Sequence, residues 1–212
     1  SDFEHLAAGD VIVDADTRVD AFQLAGAVGA SNAGAAGAGV NVNLSELTTQ
    51  AFVDGGPGDE RAGMAIAEDL VIDAHTDLEV RSYAVSASGA QFGALSGSVG
   101  IHDVESETVA YLHNAEVTVG PGGVVDISAS DDSRHELVAG GMAVGGSAAL
   151  GAAVGVVEGH VDVHATISDS AILQDRSQGI DWRNRANGVS VDAERSLEVT
   201  TAAVSAGGGY GA

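Results

Sequence analysis

The residues best suited to chemistry stand at alternate positions of one short stretch, His160-Val161-Asp162-Val163-His164. Two imidazoles and a carboxylate are a donor set that Zn²⁺ accepts. On an extended strand, alternate side chains leave from one face, so His160, Asp162 and His164 would project together. They would stand ~6.6 Å apart, wide for one ion without a fourth group. The plain alternative is a polar strand face in water. Carboxylates also recur near one repeated position, as Asp14, Asp16, Asp73 and Asp192. Oxygen ligands of that kind suit Ca²⁺, but no Asp-x-Asp-x-Asp-Gly loop or Gly-Gly-x-Gly-x-Asp nonapeptide is present. The expectation is that the chain needs no cofactor, with Ca²⁺ the one ion to test.

Other residues have the right types without the right arrangement. Asp131-Asp132 near His135, and Glu105 with Glu107, would suit acid–base attack on a polysaccharide. Such work needs two carboxyls at a set separation with tuned pKa values, and nothing in their spacing supplies it. The chain is therefore not expected to be an enzyme. Trp182 is the sole tryptophan and lies beside Arg183 and Arg185, with Arg176 close by. Trp and Arg are the side chains most enriched where binding energy concentrates, so this stretch is the candidate contact with a glycan or protein. Its plain alternative is a loop with the indole packed down on one flank. The Gly runs are not phosphate loops, since no Lys follows any of them.

Charge removes whole classes of partner. Of 212 residues, 31 are acidic and 8 basic, a formal net charge of −23, and all the basic residues are Arg. Phosphate contacts need Lys and Arg, so nucleic acid is excluded as a partner. Attraction to anionic lipid is excluded on the same ground. No uninterrupted apolar run reaches the ~18 residues that a membrane helix needs, so membrane insertion is not expected. The chain has no Cys, hence no disulfide framework and no thiolate metal site. The hydrophobic fraction is 45% but the aromatic fraction only 4%, with 30 Gly. Small and β-branched side chains suit a narrow core repeated many times better than one wide core.

The elements that must position these residues are set by an internal repeat. Val11-Ile12-Val13-Asp14-Ala15 recurs as Leu70-Val71-Ile72-Asp73-Ala74, Val125-Asp126-Ile127-Ser128-Ala129 and Val189-Ser190-Val191-Asp192-Ala193. A gapless block follows each of the first three seeds. Val40, Val99 and Val154 share one column, and Val42, Ile101 and Val156 the next. Each copy has a Gly/Ala/Ser-rich middle. Length varies only in the joints, as surface loops of a repeat array should. The copies run about 6–69, 70–124, 125–188 and 189–212. The fourth breaks off in its Gly-rich middle, which reads as a section of a larger protein or a subunit whose open end a neighbour covers.

Apolar and polar residues alternate with period two, as in Val117 and Val119 or Val161 and Val163, which signals strands with one buried face. Gly55-Gly56-Pro57-Gly58 and Gly120-Pro121-Gly122-Gly123 break them. Residues 60–69 are the best short helix candidate. The fold class expected is all-β, a right-handed parallel β-helix (β-solenoid) of about 3.3 copies of a 55–64-residue repeat. At ~20 residues per coil each copy would supply three coils, giving nine to eleven coils and on the order of 50 Å of rod.

Ala8-Gly9-Asp10-Val11-Ile12-Val13-Asp14-Ala15, Ala35-Ala36-Gly37-Ala38-Gly39-Val40-Asn41-Val42 and Gln50-Ala51-Phe52-Val53-Asp54-Gly55 follow one another in that order. They resemble the repeats of large bacterial exoproteins, the filamentous-haemagglutinin-like and leukotoxin-like filamentous adhesins. The later copies repeat the series, with Ala110-Tyr111-Leu112 closest to the last part. The resemblance implies a β-helix shaft, export to the cell surface or beyond, and a structural or adhesive role. Partners would be a host-cell, matrix or glycan surface. It brings no catalytic residues. The alternatives are an extracellular filament whose subunits stack end to end through copies of themselves, and a β-helix enzyme acting on polysaccharide.

Overall fold

The computed structural model describes residues 9–56, 61–174 and 188–210. Its strands are β1 (Val11–Ser31), β2 (Gly34–Asp54), β3 (Ala62–Ile66), β4 (Leu70–Ala90), β5 (Gly93–His113), β6 (Ala115–Val119), β7 (Val125–Gly145), β8 (Ala148–Ser168), β9 (Ala171–Gln174) and β10 (Val189–Gly209). They form three parallel sheets, ordered β1-β4-β7-β10, β2-β5-β8 and β3-β6-β9. Each sheet collects the same strand from successive copies, so the fold is a parallel β-helix. Val11 pairs with Leu70, Leu70 with Val125 and Val125 with Val189, and the register runs on without a slip to Ser31, Ala90, Gly145 and Gly209.

One copy is one coil. The expectation of three coils of ~20 residues per copy is corrected here: two strands of 21 residues and one of 5 or fewer make a single wide, flattened turn. Alternation persists along all 21 residues, so nothing forces a corner until the Gly, Ser and Asn residues at 31–34. Three full coils at a ~4.8 Å strand spacing give roughly 15 Å of stack rather than 50 Å. The helix expected over residues 60–69 is also corrected. Met64 and Ile66 continue the ladders of Val117 and Val119, and that stacking makes the segment β3.

The coil has a broad end and a thin end. At the broad end the three sheets meet around Leu70, Ile72, Leu112, Val117, Val125 and Ile127, all buried. Apolar burial at ~25 cal/mol per Å² makes this the main source of cohesion. At the thin end the two long sheets close like an arch through residues 31–34, 90–93 and 145–148. Their backbones run so close that a side chain at Gly141 would strike the Ala152 carbonyl at 2.4 Å, and one at Gly39 the Val85 carbonyl at 2.9 Å. The Gly/Ala/Ser-rich middle of every copy follows from that proximity. Arch amides also bond from coil to coil: Phe92 N–H donates to the Ala33 carbonyl (3.2 Å) and Ser147 N–H to the Phe92 carbonyl (3.0 Å).

Candidate functional site

Between the two ends, the facing rows of the long sheets mix polar side chains with a second buried apolar cluster of Leu78, Val80 and Val104. Polar inward positions here belong to Thr49, His102, Ser106 and Thr108 on one wall and Thr76, Asp131, Ser133 and His135 on the other. The Thr76 hydroxyl lies 2.8 Å from those of both Thr49 and Thr108. Asp131 is 1% exposed. Ser106 donates to its Oδ2 (2.6 Å) and Ser133 to its Oδ1 (2.5 Å), with Thr108 at 3.4 Å from Oδ2. A buried carboxylate is tolerated when several donors converge on it in this way.

Next along the strands, His102 and His135 face each other across the interior, ring centroids 6.4 Å apart and nearly perpendicular. Both rings are buried, and none of their four nitrogens has a hydrogen-bond partner. Burial pushes the His102 pKa down, and His135 adds to the effect. Burial likewise pushes His135 down, with Asp131 pulling the other way. Each imidazole is therefore held in its neutral form at neutral pH. Gln23 Oε1, Asn41 Nδ2 and Ser82 Oγ, on neighbouring inward rows, also lack partners. The chemistry available to this seam is proton uptake within the core.

The residues singled out from the sequence are distributed differently. His160, Asp162 and His164 do share the outer face of β8, and His160 Nε2 lies 3.1 Å from Asp162 Oδ2. Among the described residues no group of three His, Cys, Asp or Glu is placed to hold a metal ion. Asp14 and Asp73 stand on adjacent coils of one outer column, continued by Ser128 and Asp192. That column is stacked directly, a consequence of one coil per copy, and Ser128 Oγ donates to Asp73. Asp16 pairs with His75 in the next column. Asp131 points inward and Asp132 outward, so they cannot act as one pair, while Glu105 and Glu107 share an outer face. Trp182, Arg183 and Arg185 lie outside the described residues.

Sequence reasoning missed the His102–His135 pair and saw Asp131 and His135 only as parts of an acid–base group with Asp132. The alternation of β5 and β7 carried the signal: counted by twos from Leu112 and from Val125, both histidines and Asp131 fall on the inward face.

Among the described residues no helix is long and apolar enough to cross a membrane. The class defined by the fold is the parallel β-helix repeat protein. Compared with known proteins, the chain matches no family model, no curated protein and no solved structure.

Proposed function

We propose that this chain is a section of a secreted or surface-exposed β-solenoid shaft with a structural or adhesive role. The observation that carries this reading is the uninterrupted register. Val13, Ile72, Ile127 and Val191 stack in one inward column, Ala15, Ala74, Ala129 and Ala193 in the next, and each long strand pairs with its neighbours over all 21 residues. A fold in which every copy adds one identical coil builds length and a regular flank. A dense negative charge keeps such a flank soluble and separate from nucleic acid. No catalytic residue belongs to this reading.

Surface shaving tests it. Intact cells of the source organism, treated with protease, would lose the epitopes of this segment, while a cytoplasmic marker stays whole. Full protection of the segment in intact cells, with digestion after lysis, would overturn the proposal.

A further inference from the structure

Charge is confined to one half of every coil. No Asp, Glu, Lys or Arg lies between Asp20 and Glu46, between Arg81 and Asp103, or between Glu136 and Glu158. These three stretches are the arches. Inside them the side chains are small because the sheets nearly touch, so the larger apolar residues stand outside. On the outer face of β2-β5-β8, Leu95 is 58% exposed, Leu150 64% and Val40 63%.

That face is ruled in alternate rows. Gly34, Gly93 and Ala148 form a low row, then Ala36, Leu95 and Leu150 a ridge. Ala38, Gly97 and Ala152 form a second low row, and Val40, Val99 and Val154 a second ridge. A shallow apolar depression already follows the first low row beside Leu95 and Leu150. A two-fold axis parallel to the stack, placed between the ridge at 36 and the low row at 38, superposes ridge on trough except on the first coil, where Ala36 meets Ala38. Leu95 and Leu150 then meet Gly97 and Ala152 of a second copy, and Val99 and Val154 meet Gly93 and Ala148. The next row outward (Val42, Ile101 and Val156) reaches the other copy's arch, and the acidic row after it (Leu44, Asp103 and Glu158) falls beyond that arch. The two acidic halves thus point away from each other, which keeps like charges apart.

We propose that this face is a self-complementary surface through which two copies of the chain pair side by side, arch over arch. A bilayer is the poorer occupant. On this face the apolar zone is bordered by Glu46, Asp103 and Glu158, which repel headgroup phosphates, and the edges of β2 and β8 would leave backbone groups unpaired in lipid. Four rows on three strands cover roughly 400 Å² per copy at ordinary strand spacings. A stable interface uses about 800 Å² per partner, so three coils pair weakly and each added coil strengthens the contact. The pairing is lateral and independent of the shaft reading; a buried or intracellular chain with this face would pair equally.

Sedimentation equilibrium of the 212-residue protein, over a concentration series reaching the millimolar range at low and high sulfate, tests it. Expected is a reversible monomer–dimer equilibrium that sulfate favours by screening charge and strengthening apolar burial. Ala152→Glu should weaken it at least about tenfold, because the new carboxylate meets Leu150 of the other copy. Met142→Glu, on the outer face of β7, should leave it unchanged. Unchanged circular dichroism in both variants shows that each is folded. A monomer at every concentration and salt would overturn the proposal. So would equal loss in both variants, loss in Met142→Glu alone, or a monomer that floats with neutral phosphatidylcholine vesicles, the last assigning the face to lipid.

Discussion

Acidification should loosen this coil from within, and the His102–His135 pair sets where. In the unfolded chain both imidazoles titrate near 6.5. In the folded chain burial holds both below that. Between the two values the unfolded chain binds more protons, so stability is fully present above pH 6.5 and is lost as pH falls. Each histidine contributes a slope approaching about 1.4 kcal/mol per pH unit, so the pair approaches about 2.7 until the folded values are reached. The Asp131 carboxylate, whose charge pulls the His135 pKa upward, moderates the loss on that side. Outer carboxylates act in the opposite sense, because acid reduces the self-repulsion of a net charge of −23. The comparison that isolates the pair is the double variant His102→Leu/His135→Leu. It removes four ring nitrogens that have no partner. The variant should match or exceed the wild type at pH 8, by about 1–3 kcal/mol, since an unpartnered buried polar group costs that much. Urea denaturation followed by circular dichroism, from pH 8 to pH 5 at constant high ionic strength, reads both slopes. Wild type should lose stability below pH 6.5 while the variant stays flat or gains. Parallel curves over that range would refute the assignment of acid sensitivity to these two rings.

Asp131→Ala should cost about 2–4 kcal/mol in the same urea assay, because it leaves Ser106 and Ser133 buried without their acceptor. Ile127→Ala, at a fully buried position of the broad end, should cost about 2–5 kcal/mol with an unchanged far-ultraviolet spectrum. Gly146→Ala places a methyl 1.9 Å from the Gln91 carbonyl and should lower the denaturation midpoint, whereas Gly89→Ala meets open space and should leave it near wild type. Adding EDTA should leave the melting temperature unchanged; a drop would mean that the column of Asp14, Asp73 and Asp192 binds Ca²⁺ after all.

The sequence alone carried the repeat, the strand period of two and the parallel β-helix class, but it set the copies three coils apart, so that like positions were not expected to stack directly. These are local or copy-to-copy properties: Val13, Ile72, Ile127 and Val191 announce a shared column because stacking copies must bury the same face. It also carried the reason for the Gly/Ala/Ser-rich middle, since only small side chains let two backbones approach. It did not show where the chain turns. Period-two alternation looks the same in a strand of seven residues as in one of 21, and only the pairing of β1 with β4, the same strand of the next copy, shows that one copy closes one coil. The coil count in turn decided whether Asp14 stands directly over Asp73. The same limit hid the buried seam. His102 and His135 lie 33 residues apart on different sheets, and what brings them face to face is the fold-back at the arch. The uncharged stretches were legible as plain sequence, but their meaning was not. That the apolar residues of the arch point outward, with Gly and Ser inside, is decided by how closely the two sheets pack.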